Sequence, residues 1–261
     1  MKRGYLAIGV FFLFVSSACS HTFTGPTESR DDSFAVGDSP TVVVDSDNGR
    51  IVVNPGTDGT VRVEATLKKP DDLEYEIVQD GDSISIVAKD TRSDGIHIGE
   101  SPGADIEITV PSDTRLRLRA SNGGVEISGM HRSGSVRTSN GRIVLEDVVG
   151  DFDLSTSNGG VTISRASGTF DIETSTGRIE FDGEMVPGGE NRMTTSNGSV
   201  DVTFQGTASV ELDASTSNGS ISTELPILTV STGGEDQLKG TIGDGEAALV
   251  VRTSNGSVTV K

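Results

Sequence analysis

Thr138-Ser139-Asn140-Gly141 is followed by the alternating run Arg142-Ile143-Val144-Leu145, and this unit recurs along the chain. Identical motifs begin at Thr156, Thr195, Thr216 and Thr253, a variant with Thr in place of Asn begins at Thr174, and weaker versions begin at Ala120 and Ser46. Counted at the third motif position, the spacing is 18 residues from 122 to 176 and 21 residues from 176 to 218. A fixed period of about twenty residues is typical of solenoid proteins.

The aligned copies share three columns of side chains beside the motif. They comprise Leu118, Val136, Leu154, Ile172, Met193, Ala214 and Val251; Val125, Ile143, Val161, Ile179, Val200, Ile221 and Val258; and Ile127, Leu145, Ile163, Phe181, Val202, Thr223 and Val260. Only Thr223 is polar, and polar residues alternate with the columns, which predicts two strands per coil. The predicted fold class is all-β: a single-stranded β-solenoid similar to a parallel β-helix, with about 18–21 residues per coil. Equivalent side chains of neighbouring coils are then about 4.8 Å apart.

The motif itself is predicted to be a structural corner. Asn and Gly tolerate a positive φ and turn the chain at low strain, whereas Thr and Ser hydroxyls can bond to the backbone. Stacked coils also allow a ladder of amide hydrogen bonds, which Thr176 would interrupt once. Its members are predicted to be Asn122, Asn140, Asn158, Thr176, Asn197, Asn218 and Asn255. A calcium or sugar site is disfavoured because no carboxylate follows the motif at a fixed spacing.

The N-terminal residues have the pattern of an export signal. Lys2 and Arg3 precede an apolar run at 6–15, and three small residues lead to Cys19. The pattern resembles a bacterial lipoprotein signal, although Ser16 stands where that family usually has Leu. The resemblance implies a signal peptide at 1–18, lipidation of Cys19, and a membrane-anchored protein of the cell envelope facing the periplasm or the exterior. Ordinary signal cleavage, which would leave a free thiol, is the alternative.

The remaining sequence divides into four parts. Residues 19–39 are polar and predicted to be a lipid-anchored flexible tether, and residues 40–119 are predicted to be a β segment that caps the solenoid, with a loop at 90–104. Residues 120–261 are predicted to be the repeat solenoid, with an irregular insertion at 226–248. Because open solenoid ends expose unpaired backbone, we expect this insertion to cover the C-terminal coil, or that coil to pair with a second copy.

Composition argues against several classes of site. The chain has 39 acidic and 21 basic residues, a net charge of −18, which disfavours nucleic acid as a partner and attracts divalent cations only weakly. His21, His97 and His131 lack ligand spacing, and Cys19 is the only cysteine, so neither a metal site nor a cofactor is predicted. The absence of Trp and the presence of only two Tyr disfavour a sugar cleft.

Carboxylates on an outward face are the only candidates for catalysis. Asp151, Asp153, Asp171 and Glu173 are predicted to lie close together on adjacent coils, where like charges can raise a pKa. This arrangement supports the alternative hypothesis of a polysaccharide-active enzyme on a parallel β-helix. Acidic columns are also expected in any chain of this charge.

Several motifs occur in an order that resembles a known family. Asn-Gly-Arg-Ile-Val-Val at 48–53 and Ile-Glu-Ile-Thr-Val-Pro at 106–111 precede the serial motifs, and the chain closes with Leu-Lys-Gly-Thr-Ile-Gly at 238–243 and Thr-Ser-Asn-Gly-Ser-Val at 253–258. Residues 40–261 resemble bacterial β-strand-repeat proteins grouped as "putative adhesins", a domain of unknown function. The resemblance implies a β-solenoid in the cell envelope and assigns no catalytic residue.

The leading hypothesis is therefore a non-enzymatic envelope lipoprotein that serves as a scaffold or an adhesin-like surface. Its expected partners are the membrane, through the lipid anchor, and an envelope protein or polysaccharide. Self-association through the C-terminal coil is a further expectation.

Overall fold

The computed structural model describes residues 26–57, 59–92, 99–232 and 236–261, and these form strands and one 3-10 turn (Pro70–Asp72) without an α-helix. The strands are β1 (Thr27–Ala35), β2 (Thr41–Asn48), β3 (Ile51–Pro55), β4 (Thr60–Lys68), β5 (Leu73–Asp80), β6 (Ser83–Asp90), β7 (Gly103–Val110), β8 (Arg115–Asn122), β9 (Val125–Ser128), β10 (Gly134–Asn140), β11 (Ile143–Asn158), β12 (Val161–Thr176), β13 (Ile179–Met185), β14 (Glu190–Asn197), β15 (Val200–Phe204), β16 (Val210–Asn218), β17 (Ile221–Thr223), β18 (Ile227–Thr232), β19 (Gln237–Ile242), β20 (Ala247–Asn255) and β21 (Val258–Val260).

Hydrogen bonds arrange these strands in two rows. The corner row, whose repeat strands end at the motif, has the order β5-β6-β2-β8-β10-β11-β12-β14-β20-β16-β19-β18. The return row, whose repeat strands begin after the motif, has the order β1-β4-β7-β3-β9-β11-β12-β13-β15-β21-β17. The strands β11 and β12 have 16 residues each and belong to both rows. The predicted all-β solenoid with two strands per coil is confirmed.

The inward columns of both rows form one core. Alternation buries every second side chain, with a break at Asp147 in β11 and at Arg165 in β12, and aligned residues pack on their equivalents in the next coil. In the middle, Phe152 stacks on Phe170 with centroids 6.1 Å apart, and Phe170 meets the edge of Phe181 at 5.0 Å. Such aromatic contacts contribute about 0.5–1.5 kcal/mol each beyond their buried area.

The order of coils in the stack differs from their order in the chain. The coil that ends the sequence, β20 and β21, lies inside the stack, because β20 pairs with β14 and β16 and β21 pairs with β15 and β17. The expectation that this coil is an open end was therefore wrong. The outermost coil is β16 with β17, which explains why Thr223 is tolerated in an otherwise apolar column: it lies on an edge strand and is only half-buried.

The first coil is inserted in the same way. The strand β2 lies between β6 and β8, and β3 lies between β7 and β9, so the coil formed by β2 and β3 lies inside the stack. Neighbouring coils have equivalent apolar columns, so the columns alone do not determine which coils pack together. Stack order is therefore set by the connections rather than by the columns.

Antiparallel strands form three of the four row ends, the fourth being β17, and two of these strands lie where the sequence predicts no regular structure. Residues 27–35, expected in a flexible tether, form β1, which pairs with β4 over nine residues. Residues 226–248, expected to be irregular, contain the hairpin β18-β19, and β19 pairs antiparallel with β16. The hairpin pairs with β16 of the outermost coil and not with the C-terminal coil, which it was expected to cover. The signal peptide, Cys19 and the first part of the tether lie outside the described residues, as does 93–98 of the expected loop.

Candidate functional site

The motif residues lie in register on successive coils and bond to one another. Amide Nδ2 atoms donate to the Oδ1 of the neighbouring Asn in the pairs Asn122–Asn48 (3.0 Å), Asn140–Asn122 (2.8 Å), Asn158–Asn140 (2.9 Å), Asn255–Asn197 (2.9 Å) and Asn218–Asn255 (3.0 Å). Thr176 occupies the gap between Asn158 and Asn197. The amide ladder therefore has two runs with Thr176 between them.

The first residue of each motif forms a second, buried ladder. The Thr hydroxyl donates to the carbonyl of the motif glycine one coil away, over 2.8–3.1 Å, in the pairs Thr138–Gly123, Thr156–Gly141, Thr174–Gly159, Thr195–Gly177, Thr253–Gly198 and Thr216–Gly256. These hydroxyls are almost fully buried. Because a buried unpaired hydroxyl is costly, the ladder fixes both the register and the choice of Thr.

The glycine of the motif is required by close packing more than by its backbone angle. A Cβ added to Gly159 would lie 2.0 Å from the Gly141 carbonyl oxygen, and the same clash recurs at Gly141 with Gly123 (1.9 Å). The described non-glycine residues with a positive φ are Lys69, Asp147 and Arg165, so no motif Asn turns the chain in this way. The prediction of a positive-φ Asn was therefore wrong, and the corner is packed shut.

The four carboxylates predicted from the sequence lie on the open outer face of the corner row. Asp153 and Asp171 are opposite each other on β11 and β12, and Glu173 lies two residues further along. All three and Asp151 are exposed, and Asp153 accepts a hydrogen bond from Arg137 at 2.5 Å. Solvent and Arg137 compensate these charges, so the geometry does not build the desolvated acid-base pair that glycoside hydrolysis needs.

A different acidic cluster occupies a groove of about 780 Å³ on the outer face of the return row. Asp31 on β1, Glu64 on β4 and Glu107 on β7 are directly opposite one another in register. Arg62 donates to Asp31 at 2.7 and 3.0 Å and to Glu64 at 3.1 Å, while Asn54 donates to Glu107 at 3.0 Å. The cluster is absent from the sequence-based candidates because Asp31 was assigned to the tether.

Two acids of this groove, Asp31 and Asp105, are shifted toward their charged form by neighbouring donors. The hydrogen bond from Arg62 lowers the pKa of Asp31. Burial alone would raise the pKa of Asp105, but the Lys68 ammonium and the Arg50 amide outweigh it, and the net shift is downward. A catalytic acid needs the opposite shift. Within the described residues, no group of three His, Cys, Asp or Glu side chains is arranged to hold a metal ion.

A strip of arginines lies on the outer face of β8, in an otherwise acidic protein. Arg115, Arg117 and Arg119 are all exposed, and none of them forms an ion pair within the described part of the chain. Beside Arg119, Asp45 is already bound by Lys89 at 2.6 Å, and Arg137 is bound to Asp153. We call these three residues the arginine strip.

The arginine strip borders a small hollow. Between Arg115 and Arg117 lies a space of about 140 Å³ whose other walls are Leu116 and the short side chains of 133–135. The Ser133 hydroxyl is engaged with Asp151 at 3.4 Å, whereas Ser135 lies opposite Arg117 without a side-chain hydrogen bond. The sequence signal was present as Arg-Leu-Arg-Leu-Arg, but that alternation also describes any solvated strand.

Comparison with known families gives one match. The family described as Toastrack DUF4097, a domain of unknown function, matches residues 130–261, which is half of the chain. No curated protein matches. Within the described residues, no helix has the length and apolar character needed to cross a membrane.

Several crystal structures resemble the fold. A "putative adhesin" from Bacteroides fragilis is 12% identical with a TM-score of 0.48, covering 90% of this chain and 97% of the other. A "putative cell adhesion protein" from Clostridium sporogenes is 11% identical with a TM-score of 0.38, covering 90% and 99%. A "putative lipid binding protein" from Parabacteroides distasonis is 13% identical with a TM-score of 0.35, covering 91% and 98%. Identities this low do not transfer a function.

Proposed function

The chain belongs to the Toastrack DUF4097 family, and on this premise we propose that it is a non-enzymatic lipoprotein of the cell envelope whose β-solenoid serves as an adhesin-like binding surface. The observation that carries the proposal is a stack whose core is filled by apolar columns and whose polar side chains lie on the outer faces. Antiparallel strands of the chain form three of the four row ends, and β17 is the edge strand at the fourth. A partner is then met on an outer face rather than in an interior site.

Membrane attachment through Cys19 is the second part of the proposal. The support is the basic, apolar and small-residue pattern that precedes Cys19, together with its position shortly before β1. Each buried methylene of an attached acyl chain contributes about 0.8 kcal/mol to membrane binding. A lipid at this position would hold the solenoid by its N-terminal end.

Lipid labelling tests this attachment directly. Bacteria that produce the full chain are grown with an alkyne analogue of palmitate and then fractionated. The wild type and the matched variant Ser20→Ala are expected to carry the label and to sediment with membranes, whereas Cys19→Ala is expected to lose the label. A labelled Cys19→Ala variant, or an unlabelled wild type, would refute lipidation at this residue.

The adhesin-like role needs its own test. The purified protein is incubated with washed envelope fractions, and its retention is compared with that of an unrelated acidic protein of similar size. We expect saturable retention of the solenoid only. Retention at the level of the control would contradict the binding role and leave the labelling result untouched.

A further inference from the structure

We propose that the arginine strip is a binding site for a linear anionic polysaccharide whose sugars carry carboxylates. The strip consists of Arg115, Arg117 and Arg119 on β8, which are all exposed and form no ion pair with the residues that the structure describes. By contrast, Lys89 and Arg137 on nearby strands are each bound to an Asp, as are Lys239 and Arg252 further along the same row. In a chain of net charge −18, three adjacent unpaired guanidinium groups mark a face that is suited to an anion.

The spacing of the strip suits a linear polymer. Side chains two residues apart on a strand are about 6.6 Å apart, so the three guanidinium groups form a row about 13 Å long. A guanidinium group binds a carboxylate through two parallel hydrogen bonds. A polymer that lies along β8 can therefore bring successive carboxylates to successive arginines.

The hollow between Arg115 and Arg117 gives the strip a recess that a ligand group can enter. Its volume of about 140 Å³ has room for one carboxylate, and two of its walls are guanidinium-bearing side chains. Ser135, which lies opposite Arg117 on β10, offers a hydroxyl donor that no side chain in the described part of the chain uses. The short side chains of Ser133 and Ser135 leave this space open, where larger residues would fill it.

The width of the strip favours a single polymer chain over a bilayer. Asp153 and Asp171 lie two and three strands from β8, about 10–14 Å away. Glu74 and Glu76 on β5 lie three strands away on the other side. A flat anionic membrane would press these acids against like charges, whereas a polymer one chain wide that lies along β8 passes Asp45 opposite Arg119, whose charge Lys89 neutralises at 2.6 Å. No aromatic side chain lies among the outward residues of β8 and its two neighbours, so base stacking by a nucleic acid has no platform there.

This inference rests on the proposed function in one respect only: the cell envelope is the place where the protein would encounter the polymer. Binding to the strip depends on three side chains of β8 and not on the lipid. Cys19→Ala leaves the strip intact, so failed lipidation and failed polymer binding are separate outcomes.

The test measures binding of the purified protein to polygalacturonate, with neutral dextran and phosphatidylglycerol vesicles as comparison ligands. Three proteins are compared: the wild type, the strip variant Arg115→Gln/Arg117→Gln/Arg119→Gln, and a charge-matched control, Arg142→Gln/Arg178→Gln/Arg192→Gln. All six positions are exposed. The melting temperature of each variant is measured first, and both triple variants are expected to remain folded.

We expect the wild type to bind polygalacturonate in about 0.02 M salt and to release it in about 0.5 M salt, because counterions screen exposed charges. The strip variant is expected to lose about tenfold or more in affinity, and the control less than about twofold. Equal losses in both variants, absence of wild-type binding, or tighter binding to vesicles than to polygalacturonate would each overturn the proposal.

Discussion

The middle of the stack and its two ends are built from the same kind of coil, but the chain connects the coils differently in the two regions. From the motif at 120 to that at 195, chain order and stack order agree, and amide bonds such as Asn140–Asn122 join residues 18 apart. At the ends, Asn122–Asn48 and Asn255–Asn197 join residues 74 and 58 apart. Closing a longer loop costs more entropy. The middle is therefore expected to form first, and the inserted coils later.

The largest expected effect comes from filling the packed corner in the middle. Gly159→Ala places a Cβ 2.0 Å from the Gly141 carbonyl oxygen, and that carbonyl also accepts the buried hydrogen bond from Thr156 at 3.0 Å. We expect a loss of about 3 kcal/mol or more in the free energy of unfolding, measured by urea denaturation.

Gly81→Ala is the matched control for this substitution. Gly81 lies in the turn between β5 and β6 with a φ of +57° and open space around it. Only the backbone strain of alanine applies there, about 1 kcal/mol. Equal losses at the two positions would show that the neighbouring coil yields to the added Cβ at low cost, and would contradict the requirement for close packing.

The next effect separates the inserted coil from the edge. Val258 and Ile221 are neighbours in one column, but Val258 is fully buried between two coils and Ile221 is half-buried on β17. Val258→Ala is expected to cost about 2 kcal/mol, and Ile221→Ala about 1 kcal/mol although it removes more carbon atoms. The reverse order in thermal or urea unfolding would place Val258 at the end of the stack.

The apolar columns predict the coils of the fold, but they do not predict the order in which the coils stack. Alternation around residues such as Ile143 and Leu154 predicts strands and their inward faces, because apolar side chains are buried and the polar side chains between them are exposed. The identity of Val258 does not indicate whether its coil lies between β15 and β17 or beyond β17, because the equivalent residues of all three strands are apolar. Stack order depends on the chain connections and on the antiparallel caps.

The sequence pattern also does not predict the edge strand β1. The inward side of β1 carries Glu28, Arg30 and Asp32 in addition to Phe34, so the alternation of an ordinary strand is missing. Charged residues that point inward on an edge strand oppose further pairing. These inward charges protect the edge, and they also remove the sequence pattern by which β1 and the acidic groove around Asp31 could have been predicted.

A smaller effect concerns the charges that tie the inserted coil to the C-terminal cap. Asp213 on β16 accepts from Arg252 on β20 and from Lys239 on β19, both at 2.9 Å, and the hydrogen bond from Arg252 is the main cause of its lowered pKa. A lowered pKa in the folded state stabilises the fold above the unfolded pKa of about 3.9. This contribution is lost as the pH falls through the lower folded value.

Asp213→Asn is therefore expected to cost at most about 1 kcal/mol at neutral pH, since solvent screens the pair. The difference from the wild type is expected to shrink below about pH 4. Asp244→Asn is the control, because Asp244 is exposed and forms no ion pair in the described residues. A difference between Asp213→Asn and the wild type that stays constant from pH 7 to pH 3 would contradict this account.

The smallest effect is a gain. Thr176→Asn places an amide between Asn158 and Asn197, in register with both, and joins the two runs of the ladder. We expect stabilisation of about 0.5 kcal/mol in urea unfolding, because exposed hydrogen bonds contribute little. Asn140→Thr, which interrupts the first run, is expected to have the opposite sign. A loss of stability in Thr176→Asn would mean that the ladder does not stabilise the corner.

Stack order is tested most directly by cysteine pairs in the return row, in a Cys19→Ala background. Thr259 lies between Asp201 and Ser222 in one outward row. Adjacent strands are about 4.8 Å apart and alternate strands about 10 Å, whereas a disulfide needs Cα atoms within about 7 Å. Mild oxidation is expected to link Asp201→Cys with Thr259→Cys, and Ser222→Cys with Thr259→Cys, but not Asp201→Cys with Ser222→Cys. A disulfide in the Asp201→Cys/Ser222→Cys protein, with none in the Asp201→Cys/Thr259→Cys protein, would show that the coils stack in chain order and would contradict the inserted C-terminal coil.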